Sequence, residues 1–128
     1  MSDSFSFSGR IRSFKYALSG IAVMIRSQHN AWIHCVASIA VCAAAAYFAI
    51  TGLEWCVIVL AMVAVWVSEA LNTAFETLCD VASPDPHDLV KTAKDVAAGA
   101  VLLSAIGAVV IGVIIFTPYL LALTERGT

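Results

Sequence analysis

Positive charge is missing from half of this chain. Between Ser27 and Val90 there is no lysine or arginine, and charged residues of both signs make up only 12% of 128 residues. Soluble domains carry about 25%. Hydrophobic residues reach 61% and mean hydropathy is +0.92, which excludes both an ordinary soluble domain and a disordered chain. No C-x-x-C spacing joins Cys35, Cys42, Cys56 and Cys79, and no histidine pairs with them, so neither disulfides nor a zinc centre is expected. They read as small hydrophobes. There is no G-x-x-x-x-G-K-[ST] phosphate loop and no repeat of 20–50 residues. Net charge is −2, and no nucleic-acid partner is expected.

What remains is apolar runs of bilayer length. A hydrocarbon core about 30 Å thick needs roughly 20 residues of helix. Residues 31–50 form one run, with His34 its one awkward member, and Thr51-Gly52 breaks it. A second runs over 53–80, apolar as far as Ser68. Asp85 in the turn Ser83-Pro84-Asp85-Pro86 could cap a third helix over 86–117, with Pro86 at its first position and Thr117-Pro118 at its end. In that helix Ala100, Ser104, Ala108 and Gly112 make a small-residue face suited to close helix approach. The first run starts too late, and is too long, for a cleaved leader.

Four of the seven cations (Arg10, Arg12, Lys15, Arg26) precede the first run, and Lys91 and Lys94 follow the second. The amino terminus and second loop are therefore expected in the cytoplasm and the carboxyl terminus outside, with Arg126 as a counter-signal. Within 9–27, Ile11, Phe14, Leu18, Ile21 and Ile25 recur every three or four residues, and the cations sit off that stripe. This is an amphipathic helix, lying on lipid or packed on the protein. The expected architecture is a single all-α membrane domain over 1–128: a surface helix and three spans.

The second span carries an acidic stripe. Glu69, Glu76 and Asp80 fall within about 20° of one line, with Asn72 roughly 60° aside. A carboxylate within a bilayer costs about 2.5–3.5 kcal/mol or more. Fifteen residues, or roughly 22 Å, separate Glu54 at the outer end from Glu69, which puts Glu69 just inside the inner hydrocarbon boundary. Glu76 lies about 10 Å further, at headgroup level or in the cytoplasm. Lys94 and Asp95 return to the same boundary on the next helix, near Glu76 or Asp80. Carboxylates that can bind magnesium, beside a lysine that can meet phosphate, suit phosphoryl transfer. They equally suit a proton or cation path, or ion pairs that pin helices together, and the stripe alone leaves these open.

The segment Glu69-Ala-Leu-Asn72-Thr-Ala-Phe-Glu76, then Asp80, then Lys91-Thr-Ala-Lys94-Asp95-Val-Ala-Ala-Gly-Ala-Val-Leu, resembles the small bacterial diacylglycerol kinase and undecaprenol kinase family. Gln28-His-Asn30-Ala-Trp-Ile-His34 also resembles that family's first-helix motif, and the likeness extends from about Arg10 to Phe116. It implies a homotrimer in the bacterial cytoplasmic membrane with sites shared between subunits, transferring the ATP γ-phosphoryl to a lipid hydroxyl with magnesium. Carried over by motif, Glu69 is the general base and Glu76 a magnesium ligand. Asn72, Lys94 and Asp95 contact nucleotide or order the site, and Asp85, Pro86 and His87 match the loop that covers it. Arg10 and Tyr16 are nucleotide contacts from the surface helix. The family often has glutamate where this chain has Gln28. That glutamate would share the metal with Glu76, whereas glutamine offers only a neutral carbonyl, and Asp80 or Asp95 could compensate. The acceptor implied is diacylglycerol, with undecaprenol the alternative; a non-catalytic cation-site protein is the reading from another class.

Overall fold

The computed structural model describes residues 6–126, and of Arg126 only the backbone, so its side-chain counter-signal lies outside the described residues. Among the described residues there are four helices: α1 (Phe7–Ser27), α2 (His29–Tyr47), α3 (Gly52–Ala82) and α4 (Asp88–Arg126). The last three are long and apolar enough to cross a membrane.

Helix α1 starts at Ser6, whose hydroxyl accepts a hydrogen bond from the Gly9 N–H at 3.3 Å. Of its residues only Met24 is buried, and Ile11, Phe14 and Leu18 all face outward. The chain therefore leaves its apolar stripe uncovered, as a helix lying on lipid requires. One extended residue, Gln28, separates α1 from α2. Its N–H closes α1 on the Met24 carbonyl at 3.1 Å.

Helix α2 has 19 residues, about 28 Å, a close match to the bilayer core. The break falls at 48–51, before the expected Thr51-Gly52. The Ile50 N–H reaches back to the Ala45 carbonyl at 3.2 Å, with Ala49 between them at φ 48°. That turn is one glycine usually takes. Thr51 then opens α3 with a reciprocal cap: its hydroxyl accepts the Glu54 N–H, and Glu54 Oε2 accepts the Thr51 N–H at 2.7 Å. With 31 residues, α3 is about 46 Å long and must project beyond the hydrocarbon core.

Both ends of α4 differ from expectation. It begins at Asp88, not Pro86. The Leu89 N–H that would bond the carbonyl of a capping Asp85 goes to His87 instead, and the Asp85 carbonyl accepts the Ser83 hydroxyl at 3.0 Å. His87 takes that place: its carbonyl accepts the Lys91 N–H and its Nδ1 the Leu89 N–H at 3.2 Å. At the other end the helix runs through Pro118. Proline costs the Ile114 carbonyl its partner, but contacts made beyond it hold the helix. The Tyr119 hydroxyl donates to Glu54 Oε2 at 2.7 Å, and its ring lies 5.7 Å from Phe48. These rings close over a small core of Ala45, Ile50, Ile58 and Ile115.

Helix α4 packs chiefly along α3. Of its small-residue face, Ser104 meets α3, where its hydroxyl shares a hydrogen bond of 2.8 Å with that of Ser68, while Ala108 and Gly112 line a groove. Relieving the left-handed alanine should stabilise the turn. Ala49→Gly is expected to raise stability by about 1 kcal/mol, measured as a later midpoint in detergent denaturation.

Candidate active site

The site grows from the way α2 lies on α3. Gln28 Nε2 donates to Glu76 Oε2 at 2.8 Å, Trp66 Nε1 donates to Ser38 Oγ at 3.2 Å, and Cys42 Sγ lies 4.0 Å from Met62 Sδ. His34 Nε2 lies 3.9 Å from Glu69 Oε2. Each step outward along α2 is matched by a step back along α3, so the residue numbers of every pair add to 103 or 104. One antiparallel register thus sets every polar meeting of the two helices. His34 and Ser38 are one turn apart on one face, and so are Trp66 and Glu69. The His34 and Trp66 rings meet edge to face, with centroids 6.2 Å apart.

Glu69 is fully buried. Neither of its carboxylate oxygens has a hydrogen-bond partner, nor has His34 Nε2, and all three atoms are shielded from solvent. At 3.9 Å the two side chains are too far apart for a direct hydrogen bond. Thr73 does not help, since its hydroxyl folds back on the Glu69 carbonyl at 2.9 Å. Thr77 does the same to Thr73.

Two turns further, Glu76 is half-buried and held from both sides. Gln28 takes one oxygen, and Asn72 Nδ2 donates to the other at 3.1 Å. The Asn72 Oδ1 is left buried and unpartnered. Gln28 reaches Glu76 as expected of the residue in the family's glutamate position. It presents its amide nitrogen, because a carbonyl oxygen facing a carboxylate is repelled. Asp80, one turn beyond, is exposed and pairs with Lys94. Lys94 therefore answers Asp80 directly and Glu76 only at longer range. Asp80 and Lys94 border a cavity of about 400 Å³ with Asp85, Pro86, His87 and Lys91. The loop residues and the lysine thus share one hollow. Asp95 is exposed and, among the described residues, has no hydrogen-bond or ion-pair partner; the same holds for Tyr16. Arg10 is exposed on α1, and the Glu76 cluster is built without it.

Among the described residues no three histidine, cysteine or acidic side chains converge as a metal cage. The Glu76 carboxylate and the orphaned Asn72 oxygen are nevertheless hard oxygen donors. That fits magnesium, which takes one or two carboxylates and completes its shell with water and phosphate.

His34 is the participant that single-helix patterns miss. Its signal lay in matched depths: six residues from Gln28 to His34 on one helix, seven from Glu76 to Glu69 on the other.

A family profile described as prokaryotic diacylglycerol kinase matches residues 15–116. A diacylglycerol kinase of Synechocystis sp. (strain ATCC 27184 / PCC 6803 / Kazusa) is 40% identical over 112 residues, covering 87% of this chain and 64% of that protein. An undecaprenol kinase of Bacillus subtilis (strain 168) is 37% identical over 109 residues, covering 85% of this chain and 89% of its own. With the profile spanning residues 15–116 and both relatives matching most of its length, the chain belongs to the prokaryotic diacylglycerol kinase family.

Proposed function

We propose that this protein phosphorylates a membrane lipid alcohol with ATP and magnesium at the cytoplasmic face of a bacterial inner membrane, its amino terminus on that side. The acceptor proposed is diacylglycerol and the product phosphatidic acid. One observation carries the reading: a buried carboxylate without a partner, Glu69, lies about 10 Å along its helix from the polar cluster at Glu76. An acceptor held in lipid and a donor held in water can meet across that interval. The two kinase relatives support it.

A lipid hydroxyl does not ionise near neutral pH, so a base must take its proton during attack. Glu69 serves as that base. The O–H bond breaks toward its carboxylate while the hydroxyl oxygen bonds to the γ-phosphorus. The bond from that phosphorus to the bridging oxygen of ADP breaks, and ADP leaves. Lys94 and Lys91 bring positive charge to the loop cavity, and Asp85, Pro86 and His87 line its cover over the nucleotide. Asp80 aims Lys94. Asn72 and Gln28 orient Glu76, Arg10 and Tyr16 reach the nucleotide from α1, and Asp95 contacts it from α4. Glu76, Asn72 and Gln28 would hold magnesium, with the Gln28 amide turned to present its oxygen. When bound, the ion offsets phosphate charge. Alignment of two reactants from different phases supplies much of the remaining advantage. The whole chain acts as one domain, assembled as a homotrimer whose subunits share sites.

Undecaprenol is the second reading, favoured by the relative of that name, of which 89% is matched. Offering both alcohols to the purified protein with radiolabelled ATP decides between them by which becomes phosphorylated. Ion flux without ATP consumption would replace the kinase reading altogether. Glu69→Gln is expected to abolish transfer while nucleotide binding survives; near-normal turnover would remove Glu69 from its role. Gln28→Glu restores a charged oxygen donor. It should lower the magnesium concentration at half-maximal rate several-fold, as read from magnesium titrations at saturating ATP.

A further inference from the structure

Glu76 is held in a way that disfavours a lone cation. Both of its oxygens already accept N–H bonds, Oε2 from Gln28 Nε2 at 2.8 Å and Oε1 from Asn72 Nδ2 at 3.1 Å. Two amides thus point hydrogens, not oxygens, at the place an ion would take. The next carboxylate on the line, Asp80, is paired with Lys94. The cluster itself therefore carries a single negative charge, and among the described residues no three acidic, histidine or cysteine side chains converge to add to it.

Magnesium gives up its water reluctantly. Alone, it would have to break two charge-assisted hydrogen bonds to reach one carboxylate. A nucleotide changes that balance. Its phosphates bring more negative charge and more oxygen ligands, so an ion carried on them needs little from the protein.

We propose that Gln28 takes the place of the ion in the resting site: its amide holds Glu76 until nucleotide and magnesium arrive together, and magnesium without nucleotide does not bind there. This rests on the lipid-kinase reading for its nucleotide and adds an order of arrival to it. A second observation points the same way. Asn72 is buried, and by spending its N–H on Glu76 it leaves its Oδ1 shielded from solvent without a partner. That oxygen is satisfied only when the amide turns over toward a cation. Gln28 can turn likewise without moving a helix, because its backbone is fixed between α1 and α2. The resting bond also ties the start of α2 to α3 with no metal present. A carboxylate at position 28 would face Glu76 with like charge and would need a cation between the helices to hold them. In this chain the transfer rate should accordingly follow the magnesium–ATP complex and ignore magnesium in excess of it.

The test uses full-length protein in detergent micelles, with manganese as the probe and electron paramagnetic resonance counting the ion left in solution. Without nucleotide, the wild type should bind manganese at least about 10-fold more weakly than Gln28→Glu. Affinities within about threefold of each other overturn the proposal. In thermal unfolding without nucleotide, magnesium should leave the wild-type midpoint unchanged. Gln28→Glu should unfold earlier without magnesium and recover with it. A wild-type midpoint that rises with magnesium alone overturns the proposal. Should Gln28→Glu fail to fold, Glu76→Gln decides: a nucleotide-free manganese site that the wild type has and Glu76→Gln lacks overturns it, and equal binding by the two supports it. Equilibrium dialysis with a non-hydrolysable ATP analogue should show analogue and manganese taken up by the wild type one for one. Manganese bound at Glu76 without nucleotide sinks the order of arrival and leaves the kinase reading intact. A wild type that takes up no analogue and phosphorylates no lipid alcohol loses the kinase reading, and this order with it.

Discussion

Everything in this molecule depends on one antiparallel alignment, that of α2 against α3. Polar side chains are scarce in both helices, and a slip of a single residue would turn several of them out of contact. Gln28 would lose Glu76, Ser38 would lose Trp66, and His34 would move off Glu69. In a bilayer the hydrophobic effect does little to choose among registers, because lipid tails are as apolar as leucine. Interhelical hydrogen bonds and packing must choose instead. The same few polar residues therefore specify the fold and furnish the site.

The polarity of α3 is graded along its length. Glu69 is buried against α2, Glu76 is half-covered and tied by two amides, and Asp80 is exposed beside Lys94. Three carboxylates on one line thus occupy three environments. The first has no protein partner, the second neutral donors, the third a cation. The proposed transfer from a nucleotide to a lipid alcohol needs such a gradient, since the two substrates differ as sharply in polarity as the two ends of this helix.

Much of this was legible in the sequence, for identifiable reasons. The spans follow from apolar runs of bilayer length, and the surface helix from a three- and four-residue apolar rhythm. The grouping of Asn72 and Glu76 follows from their spacing on one helix. What was not legible depends on contacts distant in the chain. Pro118 reads as a stop until Tyr119 is seen bonded to Glu54, 65 residues earlier. Asp85 reads as a cap until the Leu89 N–H is seen bonded to His87 instead. His34 reads as a misfit in an oily run until the other helix brings Glu69 opposite.

Gln28 occupies two roles that are usually separate. Its backbone is the elbow between the helix on the surface and the helix in the membrane, and its side chain is one of the two amides on Glu76. Joint and hydrogen-bond donor are the same residue. A substitution chosen there for its charge also changes the mechanics of the bend, and any swing of the surface helix that turns the elbow tugs on the carboxylate.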